Sequence, residues 1–299
     1  MKKLIIISKL DVDIRLDKWL KKNFSSLKQS FIEKNLRKKN ILVNNLKKSA
    51  NYRLSYKDKV TIKNYDSQNY YNLKIIKKYN IPLKLQKVFN DSIVYENNQF
   101  IILNKWTGVS SQGGSKITIA IDHIIKNISS SYNLVHRLDK ETSGLLIIAK
   151  DLKYTKIFGE MFRNKKIDKK YIAICEGKPK FLESIIKVEI PKKEKVNLKQ
   201  ETETYYKVLN IKKNFSLILF VPKTGKTHQL RIVSKKLGCP IIGDNKYNIQ
   251  SKFIKEKLKL NAYKLNFILN DEDYKFISHL PEHFLHFMDK NKLKFPNDI

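Results

Sequence analysis

The chain has 299 residues, and 61 Lys and Arg against 28 Asp and Glu give it a formal charge of +33. At 41% hydrophobic and 11% aromatic residues its composition is globular, which excludes wholesale disorder, and its length suits one large domain or two ordinary ones. Cys175 and Cys239 stand far apart without a CxxC, which excludes a disulfide framework and a four-cysteine zinc site and fits a reducing compartment.

No apolar run reaches the roughly 18 residues that a membrane span needs. The opening MKKLIIIS carries two lysines and a short apolar run, but Lys9, Asp11 and Asp13 follow at once, so a first strand is expected rather than a leader. A soluble, cytoplasmic protein is the expectation. Ile14–Leu20 reads as a short amphipathic helix. Ser26 can cap the next helix with Gln29 completing a capping box, and that helix runs to about Lys38. Leu27, Phe31, Ile32 and Leu36 share one face of it, with Lys34, Arg37 and Lys38 on another. Ile41–Val43, an Asn44-Asn45 turn and Asp58–Ile62 then supply short strands.

A small α+β unit is therefore expected over residues 1–65. Residues 66–88, polar, rich in Tyr, Asn and Lys, and containing Pro82, read as a linker to a second domain over 89–299. There, Ile93–Glu96 and Phe100–Asn104 around Asn97-Asn98 predict a hairpin. Leu145–Ala149, Tyr171–Cys175 and Ser216–Val221 read as buried strands.

A charge surplus of this size points to a polyanion, most simply nucleic acid. Abundant Lys, Asn and Ile also fit a bias toward A/T-rich codons, yet such a bias does not explain the shortage of acids. Residues 1–70 hold 18 basic and 6 acidic side chains, net +12, so the N-terminal quarter is denser in positive charge than the rest. Only Arg15, Arg37, Arg53, Arg137, Arg163 and Arg231 are arginines. An arginine inside a motif of so lysine-rich a chain suggests planar, bidentate geometry that an ammonium cannot supply.

Several chemical signals fail. Gly225-Lys226-Thr227 mimics the end of a phosphate-binding loop, but Phe220 stands where the first glycine is needed. His279, His283 and His286 are interrupted by Pro281 and accompany no HExxH, so no metal site is expected. No GxSxG nucleophile elbow exists.

One segment, LVHRLDKETSGLLIIAK from Leu134 to Lys150, places Asp139 in a loop before an apolar strand, between Arg137 and a Thr142-Ser143-Gly144 turn. This string resembles the HRLDxxTSGLL signature of the RluA family of RNA pseudouridine synthases. In the same order, Asn104–Gly108 resembles the family's NKPxG segment and Gln112–Ser115 its glycine loop. Lys169–Tyr171 resembles KxY, Thr224–Arg231 resembles GRTHQLR, and Cys239–Tyr247 resembles HPIxGDxxY. The resemblance is close over 93–247 and loose beyond. Trp106, Lys226 and Ser234 depart from the family's usual proline, arginine and histidine. Residues 10–63, through Arg15–Lys18, Leu36–Lys38 and Ile41–Asn44, resemble an S4 RNA-binding domain. Together the two parts resemble the RluC-type enzymes of large-subunit (23S) ribosomal RNA.

The resemblance implies an α+β chain, a small S4 domain followed by a mixed, mainly antiparallel-sheet catalytic domain. The implied reaction breaks the bond between uracil N1 and ribose C1′, turns the base and joins C1′ to carbon 5. It involves no redox change and no external group, so no cofactor is expected. Asp139 would be the carboxylate near C1′, either attacking the sugar or taking its 2′ proton, and Arg231 the residue paired with it. The Tyr171 ring would pack on the target uracil, its hydroxyl near carbon 5. The uridine must be flipped out of its stack, and Arg137 would fill the gap or hold the phosphate. His136 is expected to orient the loop, and His228 and Gln229 to shape the Arg231 helix. Arg15, Lys34, Arg37, Lys38 and Lys169 are the further expected RNA contacts. The expected partner is RNA, with no DNA and no membrane, and the chain is expected to be a monomer. Two alternatives stay open: a non-catalytic RNA-binding or ribosome-assembly factor, and a synthase acting on tRNA or small-subunit rRNA. A pure binder needs no Asp139, Arg231 and Tyr171 together.

Overall fold

The computed structural model describes residues 1–71, 79–114, 117–192 and 195–296. Ser115 of the glycine loop and part of the 66–88 stretch lie outside the described residues. The chain divides into two compact units, Met1–Lys77 and Lys78–Ile299.

The first unit contains β1 (Lys3–Ile6), α1 (Leu16–Asn23), α2 (Gln29–Arg37), β2 (Ile41–Val43) and β3 (Lys59–Ile62). Its antiparallel sheet has the order β1-β3-β2. The apolar faces of both helices, through Trp19, Leu20, Ile32 and Leu36, bury against Ile41, Val43, Val60 and Ile62. Asn44 and Asn45 both take positive φ and make a two-residue turn closed by Val43 and Leu46, as their residue types allow. The capping box expected at Ser26 does not form. Lys28 occupies the N-cap of α2, and Ser26 is drawn into tertiary bonds instead: its hydroxyl donates to the Asn69 carbonyl and accepts from the Tyr71 N–H. Tyr70 is buried in this same core, so the unit extends past the expected boundary at residue 65.

In the second unit, α3 (Leu83–Asp91) begins inside the stretch expected to be linker, and Phe89 anchors it. There follow β4 (Ile93–Glu96), β5 (Phe100–Lys105), α4 (Ile121–Ile128), β6 (Asn133–Leu134), β7 (Ser143–Ala149) and α5 (Leu152–Arg163). The chain continues through β8 (Asp168–Glu176), β9 (Glu183–Lys192), β10 (Lys195–Lys212), β11 (Phe215–Pro222) and α6 (Gln229–Lys236). It closes with β12 (Leu260–Leu269), β13 (Glu272–Ile277) and α7 (Glu282–Lys290). The strands form one large sheet of order β4-β5-β7-β12-β8-β11-β10-β9, with β13 on β12 and β6 on β7. Among the described residues every strand pairing in this sheet is antiparallel except β12 with β7. The expected mixed, mainly antiparallel sheet is thus present.

Strands β5 and β7 are buried on both faces, which explains their continuous apolar runs. Ile101, Leu103, Leu146 and Ile148 face α4, whereas Phe100, Ile102, Leu145 and Ile147 face α5. The same alternation in β8 sends Ala173 and Cys175 toward α6 and Ile172 and Ile174 toward α7. The sheet is therefore sandwiched by helices, and the loops entering β7 and α6 converge beside Tyr171 of β8. Gly144 permits this convergence. At φ 107° its Cα lies so close to Ala262 that a Cβ would stand 2.4 Å from the Ala262 carbonyl oxygen. Only glycine lets β12 come alongside β7 immediately after the Asp139 loop. Among the described residues, no helix is long and apolar enough to cross a membrane.

Candidate active site

Asp139 sits at the tip of the loop between β6 and β7, one-fifth exposed. The loop is held by its main chain, not by the Asp139 side chain. Thr142 N–H donates to the Asp139 carbonyl at 3.1 Å, and Ser111 both donates to the Leu138 carbonyl and accepts from its N–H. His136 Nε2 accepts from Ile147 N–H at 2.9 Å, and the ring packs beside Phe162. Burial, with the Lys169 charge adding, pulls the His136 pKa down to about 3, so the ring is a neutral acceptor. His136 thus anchors the start of the loop to β7.

Lys105, at the end of β5, is a support the sequence reading missed. It is fully buried, and its ammonium donates to the carbonyls of Trp106, Val109 and Lys140 at 3.0, 3.0 and 3.1 Å. It thus ties the turn after β5 to the residue next to Asp139. Burial pulls its pKa down to about 7, against the opposing pull of Glu141 and Asp139. An unfolded lysine keeps its proton to about pH 10.4. Between these two values the unfolded chain binds more protons than the folded one, so the lysine's contribution favours folding increasingly as pH rises. We expect Lys105→Met to lower turnover by loosening the Asp139 loop. Melting temperatures measured from about pH 6 to 10 should show the wild type gaining on the variant across that window.

Asp139 lines an open cleft together with Arg137, Thr142, Tyr171, His228 and Arg231. Tyr171 enters at the start of β8, paired in register with Phe220 and Ala262. Burial, reinforced by the Asp139 charge, raises its pKa, so its hydroxyl keeps its proton at neutral pH. The structure therefore brings together Asp139, Tyr171, Arg231 and Arg137, all expected from sequence.

The pairing expected of Arg231 is corrected. Its fork is closed on Asp244, with Nε–Oδ2 at 2.8 Å and Nη2–Oδ1 at 2.6 Å, and not on Asp139. The reason is geometric. Gly243, at φ 77°, packs against the Glu256 and Lys257 carbonyls with no room for a Cβ. The loop that follows aims Asp244 at α6, where Lys246 and Tyr247 N–H groups also donate to it. Burial works against the Arg231 cation, but the hydrogen bonds and charge of Asp244 outweigh it and the net shift is upward. Burial likewise opposes the Asp244 carboxylate, and Arg231 with the two backbone donors brings it below the ordinary range. Asp139 adds to the field that keeps Arg231 charged, across the cleft and not through a fork.

His228 reaches deeper into the site than a helix-shaping residue would. Its Nε2 lies 3.9 Å from Asp139 Oδ2, and its Nδ1 lies 3.1 Å from the Tyr247 hydroxyl. Tyr247 in turn lies under the Arg231 guanidinium at 5.3 Å. Asp244 and Tyr247 carry no role expected from sequence, although the GDNKY string that holds both lies within the family-like segment.

The remaining expected contacts divide. Lys34, Arg37 and Lys38 are exposed, on α2 and its C-cap. Arg15 is forked onto Asp17, with Nη2–Oδ2 at 2.8 Å, so its charge is partly engaged. Lys169 is half-buried over the Phe162 ring, and burial lowers its pKa.

The family of RNA pseudouridylate synthases matches residues 99–236, which span the Asp139, Tyr171 and Arg231 segments. The chain belongs to this family, and it is an enzyme that isomerises uridine to pseudouridine in RNA. It is 39% identical over 264 residues to the ribosomal large subunit pseudouridine synthase C of Rickettsia typhi, covering 82% of this chain and 85% of that one. It is 36% identical to the protein of the same name from Buchnera aphidicola subsp. Baizongia pistaciae, covering 84% and 83%. Among solved structures it is similar to human RNA pseudouridylate synthase domain containing 4, with a TM-score of 0.64 and 26% identity, covering 72% of this chain and 98% of that one.

Proposed function

We propose that the chain makes pseudouridine in large-subunit ribosomal RNA, with Asp139 as the catalytic carboxylate and the N-terminal unit as an S4-type RNA-binding module. The observation that carries this is the convergence of Asp139, Tyr171 and Arg231 on one cleft with Arg137 at its edge. The relatives named for the large ribosomal subunit support the substrate.

The flipped uracil packs on the Tyr171 ring, which keeps water from the base. Asp139 stands beside C1′ and acts on the sugar as the bond to N1 breaks. The base turns, C1′ joins carbon 5, and carbon 5 releases its proton while N1 gains one. Atoms and charge balance without a cofactor. Tyr171, protonated, serves as stacking surface and hydrogen-bond donor rather than as a phenolate base. Arg231, locked by Asp244, presents fixed positive charge to the carboxylate at no cost of rearrangement during the reaction. The enzyme acts in the cytoplasm as a monomer.

Purified protein given carbon-5-tritiated transcripts should release tritium from large-subunit rRNA or its fragments. Faster release from tRNA or small-subunit rRNA would reassign the substrate. The N-terminal unit has its own test. Replacing Lys34, Arg37 and Lys38 together by glutamine in the full chain should weaken RNA binding. It should also flatten the salt dependence by roughly 0.7–0.9 log units for each phosphate that is no longer neutralised. An unchanged salt slope would assign these cations to composition rather than to RNA recognition.

A further inference from the structure

His228 occupies the N-cap of α6 with φ 56° and ψ 21°, the left-handed region that a side-chain-bearing residue enters only at a cost. That conformation does not serve the helix, because the His228 side chain makes no capping bond. Gln229 knits the loop instead. Its Oε1 accepts from Thr224 Oγ1 at 2.7 Å and from Lys226 N–H at 3.1 Å, and its Nε2 donates to Thr204 Oγ1 at 3.1 Å. The backbone twist turns the imidazole into the cleft, between the Tyr247 hydroxyl and the Asp139 carboxylate. Tyr247 is itself fixed twice, by its N–H to Asp244 Oδ1 at 3.0 Å and by its ring against Arg231.

We propose that His228 is a positioning residue for Asp139: the Tyr247 hydroxyl donates to Nδ1, leaving the ring proton on Nε2, and that N–H orients the carboxylate toward the sugar. This rests on Asp139 being the catalytic carboxylate.

An ionised carboxylate only accepts hydrogen bonds, so the ring nitrogen that faces it must carry the proton. A neutral imidazole has one such proton, which leaves Nδ1 bare and makes it the acceptor for tyrosine. Burial opposes a charge on His228, as do Arg231 and Lys246, while Asp139 and Asp244 favour one; the net shift is downward. Burial also raises the pKa of Tyr247, which keeps its proton for donation. At 3.9 Å the Nε2 and Oδ2 atoms are too far apart for a hydrogen bond. A side-chain shift of about 1 Å when RNA fills the cleft closes the gap, as catalytic hydrogen bonds commonly tighten on binding. Tyr247 thereby links the Arg231–Asp244 pair to the orientation of Asp139.

The test uses the full chain, carbon-5-tritiated RNA and single-turnover conditions. His228→Leu removes the donor, His228→Gln returns an N–H near the position of Nε2, and Tyr247→Phe keeps the ring on Arg231 but drops the hydroxyl. We expect His228→Leu to slow the chemical step about thirtyfold with RNA affinity little changed, and His228→Gln to recover to within about fivefold of wild type. Tyr247→Phe should slow the step about three- to tenfold. Nitrogen-15 spectra of histidine-labelled protein should show the Nε2–H tautomer in the wild type and a mixture in Tyr247→Phe. The proposal is overturned if His228→Leu turns over within about twofold of wild type, if glutamine rescues no better than leucine, or if the wild type carries Nδ1–H. Should His228→Leu fail to fold, the Tyr247→Phe rate and the wild-type tautomer decide. Asp139→Asn is run alongside. An active Asp139→Asn removes the catalytic reading itself, whereas an inactive one beside a fully active His228→Leu removes only the positioning role.

Discussion

Asp139→Asn should reduce tritium release from carbon-5-labelled RNA below detection while leaving RNA affinity within a few-fold of wild type. The two side chains have nearly the same shape, so the substitution removes charge and little else. Asp139 does not hold its own loop together. The Leu138 and Lys140 backbones are tied to Ser111 and Lys105, and the Asp139 carbonyl is tied to Thr142 N–H. The variant should therefore melt at nearly the wild-type temperature. A variant that folds and binds RNA but does not turn over locates the loss in the chemical step. Substantial turnover would remove Asp139 from the mechanism.

Arg231→Lys should slow turnover at least about tenfold, or about 1.4 kcal/mol of transition-state stabilisation. Charge is retained, but the planar fork that engages both Asp244 oxygens is lost. The Arg231 and Asp244 side chains are 8% and 0% exposed, so water cannot replace the missing bond. Two consequences are expected together: a lower melting temperature, because a buried carboxylate loses a donor, and a slower chemical step, because the charge facing Asp139 is no longer fixed. Rates measured well below the melting transition separate them. Lys226, exposed on the rim of the same cleft, is the internal control, since Lys226→Arg changes neither charge nor any buried pair. Equal and small effects at the two positions would show that Arg231 contributes charge alone.

The legible parts of this molecule are those whose residue types are locally forced. The strands β5, β7 and β11, and the Ile172–Cys175 half of β8, are apolar runs because both of their faces are covered, and they read as strands for that reason. The Asn44-Asn45 turn needs positive φ at both positions, which asparagine tolerates. Asp139, Tyr171 and Arg231 were legible through ordered strings of specified residues, and the fold does bring them to one cleft. What the sequence hid are choices among equally plausible local partners. Ser26 could cap a helix, but Asn69 and Tyr71, 43 and 45 positions away, claim its hydroxyl. Arg231 could fork either of two aspartates, and the Gly243 turn presents Asp244. Lys105 stood within the Asn104–Gly108 segment with no role of its own, and only the packing around it reveals a buried ammonium shared by three carbonyls. Gly144 stood within the signature string, but its steric necessity appears only when β12, far later in the chain, runs alongside it.

The most direct test of the account is a nucleotide-resolution map of pseudouridine in ribosomal RNA from cells carrying the gene, lacking it, or complemented with the wild-type or Asp139→Asn form. One or more large-subunit pseudouridines should vanish with the gene and return with the wild type but not with Asp139→Asn. A large-subunit map that does not change on deletion, or that is restored by Asp139→Asn, would contradict it.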